Sequence, residues 1–168
     1  MTELENFRAE KDDFFASHPH SPLTSLQKQT FDGLRYFDEN PALRFEIAAT
    51  PFPKPEEIAI QTSTGETRVY TRFARFKFNV DGQEAELTIY ETENGFFLPF
   101  VDSLAGTETY PAGRYLDLEP LPGNRFLVDF NLAYNPYCAY NERWSCPLTP
   151  FENRLKVPIR AGEKIFHS

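Results

Sequence analysis

The chain has 168 residues, enough to bury one continuous core as one domain. A net charge of −8, with no Lys/Arg-rich run, excludes a nucleic-acid binder and argues against an anionic membrane surface. Fourteen prolines and eight glycines leave little room for long helices, so 17 Phe and 8 Tyr must carry much of the core.

The amino terminus, MTELENFRAEKDDFF, is charged from Glu3 onward and lacks the basic-then-apolar order of a signal peptide. Nowhere is an apolar run long enough to cross a bilayer, so a soluble cytoplasmic protein with reduced cysteines is the expectation. Thr2 and Glu5 have capping-box spacing, and Leu4, Phe7, Phe14 and Phe15 fall roughly on one helical face. An amphipathic helix over residues 3–16, packed on the core, follows. HPHSPL (His18–Leu23) ends it, and Thr24 with Gln27 caps a second, short helix before Gly33. His18 and His20 sit among prolines without other metal-ligating residues and read as exposed loop histidines.

From Leu43 the period becomes two. LRFEIAA, EIAIQT, TRVYTRF, RFKFNV, EAELTIY and GFFLPFV are separated by PFPKP, STGE, DG and ENG, which reads as an antiparallel meander. If Asp81-Gly82 is a two-residue type I′ turn, Phe78 faces Ala85, Phe76 faces Leu87 and Ala74 faces Ile89 on one side. Lys77–Glu86 and Asn79–Glu84 then share the other side. The inward set changes from odd (Val69, Thr71, Phe73) to even (Phe76, Phe78, Val80), which requires a β-bulge or a change of sheet near Ala74 and Arg75. GRYLDLE and RFLVDFN follow as strands joined by a Pro-Gly-Asn turn. After Asn131 alternation stops, and only a short helical turn around Tyr137–Tyr140 is expected.

Both cysteines and the single tryptophan lie in DFNLAYNPYCAYNERWSCPLTPFENRL, Asp129 to Leu155. With the VPIRAGE that follows, this stretch closely resembles the signature of a bacterial and archaeal family known as domain of unknown function 1684. The likeness extends to FVDSLAGTETYPAGRYLDLE and to the amino-terminal FRAEKDDFFASHPHSPL and FDGLRYF. Thr149-Pro150 departs from the paired prolines of many members. The resemblance implies kinship and carries no activity.

Cys138 and Cys146 lie too far apart for a Cys-x-x-Cys motif, and a structural zinc would lack ligands, so no metal is expected. Two small buried apolar side chains are favoured over a redox pair or nucleophile. Asn131, Tyr134, Tyr140 and Asn153 need partners if buried, and can either brace the loop or face a ligand. Asn135 opens a turn at Pro136. Five Lys/Arg against four Asp/Glu in the last forty residues soften the acidity there. Arg114, beside Asp102, Thr109 and Tyr110 in the preceding loop, is the best candidate to grip a carboxylate or phosphate. No phosphate loop, hydrolase elbow or zinc-protease motif is present. An Asp102/Asp129 acid–base pair has no support beyond its residue types, and a flavin would suit a barrel but has no motif.

The fold class expected is mainly β (α+β): a bent antiparallel sheet, barrel-like or a two-sheet sandwich. Residues 1–40 form a helical segment, 41–131 the meander and 132–168 an ordered loop across one mouth or edge. The function expected is binding of a small polar or anionic molecule by Arg114, Asp129, Asn131, Tyr134, Cys138, Tyr140, Cys146 and Asn153, with any reaction, cofactor and oligomeric state left open. The alternative is a non-catalytic structural or interaction domain with a braced loop.

Overall fold

The structure, a computed structural model, describes residues 2–167. Helix α1 (Glu3–Ser17) begins where the Thr2 hydroxyl accepts the Glu5 amide, and α2 (Ser25–Thr30) carries a complete capping box from Thr24 and Gln27. The face of α1 that docks differs from the expected apolar stripe. Phe15 is buried, Phe7 is exposed, and Arg8, Lys11 and Asp12 turn inward to Phe37 O, Glu163 and Leu34 N. The helix therefore meets carbonyls and a carboxylate as well as apolar side chains, and charged residues satisfy them.

Seven strands form one antiparallel sheet: β1 (Arg44–Ala48), β2 (Thr50–Gln61), β3 (Thr67–Val80), β4 (Gln83–Thr92), β5 (Gly95–Phe100), β6 (Arg114–Leu121) and β7 (Arg125–Asp129). Their spatial order is β1-β7-β6-β5-β4-β3-β2. β1 and β2 lie at opposite ends of that order yet are separated by Ala49 alone, so the sheet curls into a half-barrel. Where the sequence suggests a PFPKP turn, β2 runs through it. Its prolines are tolerated because β2 is an edge strand, and Phe52–Pro55 form a bulge between the pairs Pro51↔Ala74 and Glu56↔Arg72.

The β3–β4 hairpin has the register expected from its turn, with Phe78↔Ala85, Phe76↔Leu87, Ala74↔Ile89 and Lys77↔Glu86. Asp81 and Gly82 have φ of 50° and 81°, as a type I′ turn requires. Gly82→Val should therefore lower stability by about 1–2 kcal/mol, because a β-branched residue is strained at positive φ. An unchanged urea midpoint would contradict the turn. The change of inward face is a bulge at Phe73, which has no partner between Arg72↔Tyr90 and Ala74↔Ile89.

The concave face holds the main core, including Phe76, Phe78, Leu87, Ile89, Leu98, Leu116, Val128 and Phe130. Val157, Ile159 and Ala161 from the carboxyl-terminal segment complete it. The convex face is also covered in part: Ile60, Tyr70 and Tyr90 form a second buried cluster with Ile58 and Phe97. Among the described residues no helix is long and apolar enough to cross a membrane.

Candidate functional site

On the convex face, alternation places Tyr70 of β3, Phe97 of β5 and Tyr115 of β6 side by side. Tyr70 stacks on Phe97 at 5.6 Å between ring centroids, and Phe97 meets Tyr115 edge-on at 4.8 Å. The loop after β7 forms the opposite wall. Tyr115 and Tyr134 exchange both backbone hydrogen bonds, which pins the start of that wall to β6. A 3₁₀ turn at Tyr137–Ala139, as expected, directs Tyr137 toward Trp144, 5.3 Å away. Further along, Ser63 N donates to Cys146 O and Leu148 N to Gln61 O, so the loop docks on the end of β2.

Between these walls lies a concavity of about 280 Å³, lined by Arg68, Tyr70, Phe97, Tyr115, Tyr134, Pro136, Tyr137 and the segment Trp144–Pro147. Arg68, Tyr70 and Phe97 also border a broader polar trough of about 640 Å³ running past Thr92–Gly95 and Asp117. Tyr134 and Tyr137 border an apolar recess of about 380 Å³ against Phe7, Phe14 and Phe15 of α1. The three form one surface groove with the aromatic notch at its centre.

The groove's phenols are mostly committed. Tyr134 donates to Asp117 Oδ2 at 2.8 Å, and Tyr115 to Pro147 O. Burial is the main cause raising the pKa of Tyr70, Tyr115, Tyr134 and Tyr137, so all are neutral donors at pH 7 and none is a base. Arg68 is the cation lining the notch; one of its nitrogens donates to Ser145 O at 2.9 Å, and its side chain is exposed.

The candidates from the sequence fall into two groups. Tyr134 and Cys146 line the notch, with Cys138 directly behind Cys146, whose sulfur accepts the Cys138 amide at 3.2 Å. Both cysteines are free and buried, and the described residues contain no cluster suited to a metal. The others do not line it, and the convergence of Arg114, Asn131, Tyr134 and Asn153 on one concavity is not seen. Arg114, 1 % exposed, donates to the carbonyls of Ile159, Ala161 and Glu163 and faces Asp102 at 3.7 Å. Asn131 bridges Asp129 and both backbone groups of Asn40. Tyr140 donates to buried Glu163, which Lys11 also holds at 2.5 Å. Asn153 is bound to Thr88 and Pro99. Asp102 and Asp129 serve separate networks, the first accepting from Thr109 and Ile159 N, the second near Arg44.

Sequence reasoning missed Arg68, Tyr70, Phe97 and Tyr115. The available signal was that Tyr70, Phe97 and Tyr115 put aromatic rings on a face whose other hairpin positions, Arg75, Lys77 and Asn79, are those of a solvated surface.

A search of curated proteins gave no match. Among solved structures the fold is similar to the solution NMR structure of an uncharacterized protein from gene locus rrnAC0354 of Haloarcula marismortui, with a TM-score of 0.73. The two are 38 % identical, over 96 % of this chain and 92 % of that one. Residues 29–164 match the family described as "Protein of unknown function (DUF1684)", so the aromatic notch, both cysteines and Arg114 with the carbonyls it holds lie within the matched region, while the α1 side of the groove lies outside it. The chain belongs to that family.

Proposed function

We propose that the chain binds a small molecule with a flat apolar body and an anionic or polar end in the notch between the convex face and the carboxyl-terminal loop. The observation that carries this reading is the aromatic lining: six rings from three strands and the loop, with Arg68 at the rim. Rings of this kind accept flat ligands on their faces and edges, and an exposed guanidinium can take a carboxylate in two hydrogen bonds. Cytoplasmic residence belongs to the same proposal, since two free thiols persist in a reducing compartment.

Trp144, the single tryptophan, stands in the notch wall and reports on it directly. Titration with a panel of aromatic carboxylates should change its emission saturably. Arg68→Ala should weaken that binding about tenfold without loss of fold, the worth of one charge-assisted contact. A panel without effect, together with native mass spectra showing the bare chain, would overturn the reading.

One observation favours a second reading. Arg114, Asn131, Tyr140 and Asn153 spend their hydrogen bonds on the protein itself, as in a loop that is braced scaffolding. In that case the domain is a non-catalytic structural or interaction module.

A further inference from the structure

The environment of the two cysteines is unlike that of inert core thiols. A buried apolar cysteine needs no hydrogen-bond partners, whereas here each sulfur has a polar partner. Cys138 N–H donates to Cys146 Sγ at 3.2 Å, and the Tyr110 hydroxyl lies 3.7 Å from Cys138 Sγ. Ser63, from the turn between β2 and β3, accepts the Cys146 amide at 3.1 Å. The Cys146 sulfur thus sits against the backbone of Cys138, which brings the two residues side by side. Cys146 also lines the groove, so the pair borders its wall.

We propose that Cys138 and Cys146 form a dithiol redox centre at the groove wall, oxidised to a disulfide by hydroperoxides and restored by thiol–disulfide exchange with an external dithiol. The centre stands independently of whether the groove holds a ligand. In the first step the Cys138 thiolate attacks one peroxide oxygen. An S–O bond forms, the O–O bond breaks, and the leaving hydroxide or alkoxide takes up a proton. Cys138 is then a sulfenic acid, oxidised by two electrons. In the second step the Cys146 sulfur attacks the Cys138 sulfur, the S–O bond breaks, and hydroxide leaves with the Cys146 proton as water. The net change for hydrogen peroxide is two thiols plus peroxide to one disulfide and two waters.

Electrostatics agree with this assignment of roles. The neighbouring Cys146 side chain, with Tyr110 and Ser63, holds Cys138 down to about 6 against burial, while the proximity of Cys138 raises Cys146. The pair therefore gives up its first proton easily and holds the second. Tyr70, Tyr110 and Tyr115 are the titratable groups that feel the charge of the pair, and Glu142 acts on Tyr110.

A reduced sample of the full chain, treated with equimolar hydrogen peroxide at pH 7, should become lighter by two hydrogen atoms and lose both free thiols. Dithiothreitol should restore it. Cys146→Ser should stop at a Cys138 sulfenic acid that dimedone traps, and Cys138→Ser should react about tenfold more slowly. Thiolate absorbance of the reduced wild-type chain should titrate with a midpoint near 6, moving upward in Cys146→Ser. An unchanged wild-type mass after peroxide, or no thiolate absorbance until alkaline pH, would overturn the proposal, and neither measurement depends on a variant folding.

Discussion

Arg114→Ala should cost about 3–5 kcal/mol of stability, the range for removing one partner of a buried charge pair. Arg114 opens β6, and the segment from Ile159 to Glu163 packs against its guanidinium. Three carbonyls of that segment, on alternate residues, point at one guanidinium. Without it the carbonyls of Ile159, Ala161 and Glu163 lose their donor, and Asp102, 4 % exposed, becomes an uncompensated buried carboxylate. Burial pushes the arginine itself down to about 10, with Asp102 and Glu163 pulling it back, so it stays charged at neutral pH at a real desolvation cost. Arg114→Lys should rescue little, since an ammonium is a point donor and cannot span the three carbonyls. Urea unfolding of both variants checks this, and an Arg114→Ala midpoint close to wild type would remove the clamp from the account. The expected loss is of fold, so ligand retention measured on this variant would say nothing about the groove.

Much of the fold is legible in the sequence because its strongest signals are local. The β3–β4 register follows from a two-residue turn plus alternation, and the Phe73 bulge follows from a change of parity. Both are short-range consequences of the pleat. The path of β2 was not legible. Proline signals a break unless the strand has a free edge, and edge status is fixed by which strand ends up where in the sheet. The docking face of α1 was legible only in part for a related reason: Phe14 and Phe15 pack as expected, but Glu163, the partner that makes Lys11 an inward residue, lies at the far end of the chain. The site divides along the same line. That the carboxyl-terminal loop is ordered, and that it walls a concavity, could be argued from its aromatics and prolines. Which polar residues face that concavity could not, because a buried Arg or Asn is equally suited to a ligand carboxylate and to a row of carbonyls. Arg114 and Asn153 went to the backbone, and only the three-dimensional placement of the carboxyl-terminal segment decides that.

Asn153 shows the backbone use most clearly, and Asn153→Ala should cost about 3 kcal/mol or more, from orphaned buried groups at about 1–3 kcal/mol each. β4 and β5 pair from Thr92↔Gly95 to Tyr90↔Phe97 and no further. Continuing that register would set Thr88 against Pro99, which has no N–H to give, in a strand with neighbours on both sides. Asn153 fills the gap. Its Nδ2 donates to Thr88 O at 2.9 Å and to Pro99 O at 2.8 Å, and its Oδ1 accepts Thr88 N at 2.8 Å. The side-chain amide thus supplies the ladder with the donor that proline withholds and the acceptor that Thr88 N needs, while itself fully buried. Asn153→Asp should be as damaging at neutral pH, because it sets a carboxylate oxygen against two carbonyls. That carboxyl would have its folded pKa raised above the unfolded value, so its penalty is full above the folded pKa and fades as pH falls to the unfolded one. Pro99→Ala should recover part of the loss in the Asn153→Ala background, since residue 99 then carries an N–H on the side of the strand where its carbonyl already points toward Asn153 and Thr88. A double variant no more stable than Asn153→Ala alone, in the same urea titration, would show that the missing proline donor is not what the asparagine replaces.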